Sequence, residues 1–185
     1  MDKPRVELYV AYAAVVLAAV FLRLMPHLPN VTPIAALALF SGATGPGIAV
    51  LGLPLVAMVL SDIFIGFHQT IPFVYGGFLL IAGIGYLLRK KITASRIVVG
   101  SLSGSILFFL ITNFGVWLTS SMYDKSFAGL LYCYQMGLPF FRNTIVGDLL
   151  YTGAFFVGFR ILTLLFVLML PVRQNRRTRH VGNTV

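Results

Sequence analysis

Acidic side chains are almost missing from this sequence: five aspartates and glutamates stand against 14 lysines and arginines. Charged residues of both signs fill only 10% of the 185 positions. A soluble domain carries about 25%, so a surface built for water is excluded. The single cysteine, Cys133, excludes an internal disulfide and leaves the redox compartment open. Catalytic signatures are missing too. There is no G-x-x-x-x-G-K-[ST] phosphate loop, so the chain does not hydrolyse ATP itself. H-E-x-x-H, cysteine pairs at zinc spacing and a G-x-S-x-G elbow are also absent. Neither metal nor cofactor is expected, and an enzyme is not the first reading.

What is present is hydrocarbon. The chain is 58% hydrophobic, with mean hydropathy +0.92. Several apolar stretches reach roughly 20 residues, long enough to cross a bilayer as helix. A net charge of +9 would suggest nucleic acid in a soluble protein. Here the basic residues cluster at segment ends, which points to membrane orientation and to no nucleic-acid partner. The expected fold is all-α: a polytopic bundle of about six helices over residues 1–172, followed by a basic, disordered cytoplasmic tail at 173–185.

The six spans are read at 6–24, 33–44, 46–67, 72–88, 97–119 and 144–170. Pro33, Pro46 and Pro72 stand at or near starts, where a missing N–H costs little. The second span is too short to cross about 30 Å of hydrocarbon as straight helix. The stretch from Ser120 to Phe141 is too long for a simple turn and is expected to hold a short interfacial helix. The N-terminal apolar run lacks a small-residue cleavage site and reads as a retained first helix. An even span count puts Lys3, Arg5, Arg89, Lys90, Lys91, Arg96, Arg173, Arg176, Arg177 and Arg179 on one side. That side should be cytoplasmic, with both termini, in a bacterial inner membrane.

The other side then collects a polar rim. "RLMPHLPNVTP" brings Arg23, His27, Asn30 and Thr32 to the outer ends of spans one and two. "SDIFIGFH" adds Asp62 and His68; "NFGVW" adds Asn113 and Trp117; "FFRNTIVGDLLYT" adds Arg142, Asn143, Asp148 and Tyr151. Ionisable residues inside a membrane are costly and mark functional sites by default. The plainer readings are structural. Asp62 with Arg23, or Asp148 with Arg142, pairs helices; the histidines cap turns; Trp117 and the tyrosines form an aromatic belt. The two histidines and two aspartates also match a metal site in residue type, without a diagnostic spacing.

The stretches "RLMPHLPNVTPIAALALFSGA", "PLVAMVLSDIFIGFH", "NFGVWL", "GLLYCY" and "PFFRNTIVGDLLYT" resemble an uncharacterised family of small bacterial integral membrane proteins. The likeness runs over roughly residues 21–158. More distantly, size, span number and the polar rim are similar to substrate-binding S components of energy-coupling-factor transporters. That resemblance implies a solute-binding cavity on the outer side. It also implies a separate energising transmembrane and ATPase module, docked through small residues of the first helix, here Ala14 and Ala18.

The combined expectation is a membrane protein that binds a small polar or amphipathic, vitamin-like solute from outside and aids its uptake. Arg23, His27, Asn30, Asp62, His68, Asn113, Trp117, Arg142, Asn143, Asp148 and Tyr151 would line or support the site. The arginines, the Pro-rich stretch and the start of the short helix favour an acidic solute group. The rivals are an intramembrane enzyme using the Asp/His set and a structural protein whose rim is all interhelical bonding.

Overall fold

The computed structural model describes residues 3–47 and 49–169. Among these, six α-helices and no strand occur: α1 (Lys3–Leu24), α2 (Ile34–Thr44), α3 (Leu53–Ile65), α4 (Ile71–Leu88), α5 (Ala94–Thr119) and α6 (Phe127–Met169). Each expected span meets one helix. The basic tail expected at 173–185 lies outside the described residues.

The shortest helix is the centre. Every residue of α2 from Ile34 to Ala43 is buried, which matches a segment apolar on all sides. It fits there because its contacts are small. A Cβ on Gly42 would collide with the Ala82 carbonyl of α4, and one on Gly85 with the Leu39 carbonyl of α2. Two glycines thus let the α2 and α4 backbones touch, as small residues do where helices cross in membranes. Arg89 closes the far end of α2. Its Nε donates to the Gly42 carbonyl at 2.7 Å and its Nη2 to that of Gly45 at 2.6 Å, while the guanidinium stacks on Tyr86. A cation there also meets the negative end of the helix dipole.

Two boundaries differ from expectation. Span three does not begin at Pro46: a 3-10 turn at Ala49–Gly52 precedes α3, whose first turn contains Pro54. The segment after α5 is not a separate interfacial helix. From Phe127 it is the beginning of α6, which runs 43 residues through Pro139. At 1.5 Å per residue that is about 64 Å, twice a hydrocarbon core. Pro139 lacks the N–H that would bond the Gln135 carbonyl, yet one missing bond does not end the helix.

The exterior is apolar. Leu17, Phe21, Ile63, Leu87, Val99, Leu150 and Leu162 are all exposed. Ile71–Leu88, Ala94–Thr119 and Phe127–Leu164 are long and apolar enough to cross a membrane, and Tyr12–Leu24, Ile34–Thr44 and Leu53–Ile65 are shorter apolar helices.

Candidate functional site

The helices leave a cavity of about 470 Å³ at one end of the bundle, where α1 meets α2, α3 meets α4, and α5 meets α6. Its polar lining includes Arg23, His27, Asn30 and Thr32 from the first connection, His68 from the second, Thr112 and Asn113 from α5, and Thr144 and Asp148 from α6. Phe78, Phe108, Phe109 and Phe140 supply apolar walls. Six of the eleven residues expected at a site are therefore brought to one hollow: Arg23, His27, Asn30, His68, Asn113 and Asp148.

The mouth is a built loop. Asn30 takes a left-handed backbone, φ 64°, a conformation asparagine tolerates better than most side chains. Asn143 donates from Nδ2 to the Pro29 carbonyl at 3.1 Å, tying α6 to the loop. The His27 ring folds back on the end of α1, with Nε2 3.1 Å from the Arg23 carbonyl and Nδ1 2.9 Å from that of Leu28. His68 Nδ1 lies 2.7 Å from Thr70 Oγ1. Both histidines thus serve as local caps while bordering the cavity.

The two buried acids have different surroundings. Asp62 is 1% exposed and sits behind the cavity wall, not among its lining residues. Its Oδ1 is 2.7 Å from Arg23 Nη1, a charge contact off the line of a hydrogen bond; its Oδ2 accepts from Tyr75 Oη at 2.8 Å. Arg23 Nη1 also donates to Ser61 Oγ. The Arg23 charge is thus compensated within the protein. Asp148 is 4% exposed and lines the cavity floor. Ser105 Oγ is 2.6 Å from Asp148 Oδ2 and 3.0 Å from the Ser101 carbonyl. One hydroxyl proton serves one acceptor, and the nearer carboxylate takes it. Among the described residues Asp148 has no ion-pair partner, and its second oxygen accepts no hydrogen bond. A buried carboxylate without a partner is costly to desolvate.

The remaining expected residues stand apart from the hollow. Trp117 is pinned to the α5–α6 connection, its Nε1 donating to the Asp124 carbonyl at 2.8 Å with Lys125 over its ring. Arg142 is exposed on α6 and is not the partner of Asp148. Asn143 supports the loop from outside, and Tyr151 is half-buried away from the lining. Ala14 and Ala18 are exposed on α1; Ala14 borders an apolar groove of about 290 Å³ shared with Phe40, Phe155 and Phe159. Among the described residues no three His, Cys, Asp or Glu side chains group to hold a metal ion.

Sequence reasoning missed the hydroxyls beneath Asp148 and the phenylalanine walls. The first had a signal. "SLSGS" puts Ser101 and Ser105 four residues apart on one helical face, with Gly104 beside them. The second had none, because sixteen phenylalanines do not announce which few line a hollow.

No curated protein and no solved structure matches the chain. A family described as a family of unknown function, DUF6580, matches residues 3–170. That match spans almost the whole chain, from the start of α1 to the end of α6, and the protein belongs to this family.

Proposed function

We propose that this is a six-span membrane protein that binds a small amphipathic solute in the cavity at one end of its bundle and aids its uptake. The observation that carries the reading is the cavity itself: about 470 Å³, within the usual range for small-molecule pockets, with few polar groups converging on aromatic walls. A purely structural rim would be filled and fully paired. Here Asp148 faces the hollow with acceptor capacity to spare.

The apolar exterior supports placement in a bilayer, with the short α2 shielded by its neighbours. The basic residues at 89–91 and 96 support a cytoplasmic position for the α4–α5 connection and both termini, in a bacterial inner membrane. The cavity then opens outward. Without a phosphate loop in the chain, energy would come from a separate transmembrane and ATPase module or from an ion gradient. The exposed Ala14 and Ala18 are the proposed contact with such a module.

The test is native mass spectrometry of gently purified protein, beside a Thr112→Trp variant that fills the cavity wall. A small molecule released by the wild type and absent from the folded variant is the expected result. An empty wild-type protein, or equal loading of both, would turn the reading down.

A further inference from the structure

Resting on the solute-binding reading, we infer that the solute is an organic cation: an ammonium group on an aromatic or aliphatic body. The charge balance of the cavity carries this. Arg23, the only arginine or lysine among the described lining residues, already faces Asp62, and its Nη1 donates to Ser61. An acidic solute group would have to compete with a contact that is 1% exposed on the acid's side. Arg142, the other cation expected there, does not border the hollow. The histidine rings at the mouth are engaged locally, His27 between two main-chain carbonyls and His68 beside the Thr70 hydroxyl.

Against this set stands a buried acid without a counter-ion among the described residues, whose ionised form an ammonium group would favour. Asp148 is 4% exposed, has no cationic partner among the described residues, and spends one oxygen on the Ser105 hydroxyl. Its other oxygen is free to accept from N–H donors of a solute. The first turn of α2 also borders the hollow, through Ala35, and adds positive dipole. That contribution is at most about half a unit charge, less than an ionised carboxylate supplies.

The walls suit the same class. Phe108 stacks on Phe78 with ring centroids 4.6 Å apart, and Phe109 and Phe140 also border the space. Aromatic faces attract ammonium groups electrostatically and cover hydrocarbon equally well. The solute would thus enter ammonium first, reach Asp148 at the floor, and leave any neutral polar end near Asn113 and His27 at the mouth.

The test is calorimetric titration of the full chain in lipid nanodiscs with three probes of similar size: 2-phenylethylamine, 3-phenylpropanol and 3-phenylpropionate. The amine is expected to bind at least tenfold more tightly than the alcohol or the acid. Asp148→Asn, which retains an acceptor for Ser105, should lose that advantage. Equal or tighter binding of the acid, or no detectable binding of the amine, overturns the inference, and so does an unchanged amine advantage in the variant. The comparison of probes on the wild-type chain decides even where the variant fails to fold. If the alcohol or acid binds and Thr112→Trp abolishes it, the solute cavity stands and only its charge preference falls. If no probe binds and nothing co-purifies, both fall.

Discussion

Asp62→Asn is the substitution on which the charge balance of the bundle turns. The new side chain keeps the shape and still offers an oxygen to Tyr75. What disappears is the charge 2.7 Å from Arg23 Nη1. Arg23 is only 13% exposed, so water replaces little of it. Breaking a buried pair from one side costs about 3–5 kcal/mol. Arg23 sits in the last turn of α1, near the cavity mouth, which favours the lower end. A loss of about 3 kcal/mol is a factor of about 150 in the folding equilibrium. Tyr75→Phe removes one hydrogen bond to a charged acceptor and should cost about 1.5 kcal/mol. Arg23→Met with Asp62→Leu removes both charges and should recover most of the loss. The assay is SDS-titrated unfolding in mixed micelles, followed by circular dichroism. If Asp62→Asn stays within about 1 kcal/mol of wild type, the buried pair is not what neutralises Arg23. Arg23, which borders the cavity, would then stand free to pair an acidic solute group.

The other substitutions probe packing, capping and topology. Gly85→Leu pushes side-chain atoms into the Leu39 carbonyl and should abolish folded yield, measured by monodisperse recovery on size exclusion; Gly85→Ala should lose about 1–3 kcal/mol. Arg89→Gln strips the charge from the end of α2 and should cost about 1 kcal/mol in the same unfolding titration. With the buried Cys133 changed to Ser, a cysteine at position 123 should label from outside intact cells and one at position 93 should not; the reverse pattern would invert the orientation.

The helices were legible because composition and punctuation agree. Long apolar runs bounded by Pro33, Pro72 and the 89–91 basic cluster leave few other partitions. Six site residues were legible because helix ends alternate sides, so polar groups near odd-numbered ends gather at one rim. Partner choice was not. Arg23–Asp62 and Asp148–Arg142 were equally open on the sequence, since each joins a rim cation to a rim acid. Only the geometry pairs the first and leaves Asp148 without a cation among the described residues. The stretch after α5 reads as a short interfacial helix because it is too long for a simple turn; from Phe127 it instead opens α6, which runs on through Pro139 because a long helix absorbs one missing hydrogen bond. Trp117 stands apart from the hollow, because an indole at a helix end serves a loop carbonyl as readily as a ligand.

The interruption at residues 23–33 therefore does two jobs of opposite electrostatic sense. Read alone, Arg23, the prolines and the start of a short helix describe an entrance for anions. In the fold, Arg23 turns to Asp62 and Ser61, and the His27 ring turns to main-chain carbonyls. The positive features are largely used in holding the first connection against α3, while Asn143 ties it to α6. That holding is what permits α2 to sit buried in the centre while its first turn borders a hollow. Asn143→Ala tests this directly, because among the described residues its one side-chain bond is to the Pro29 carbonyl. Loss of that tie should leave the cavity walls intact but loosen the mouth. The expected readout is faster hydrogen exchange at residues 25–33, with exchange in α4 and α5 unchanged. If exchange there stays at the wild-type rate, the connection is held by its own backbone, and the polar residues at its base owe their positions to the turn alone.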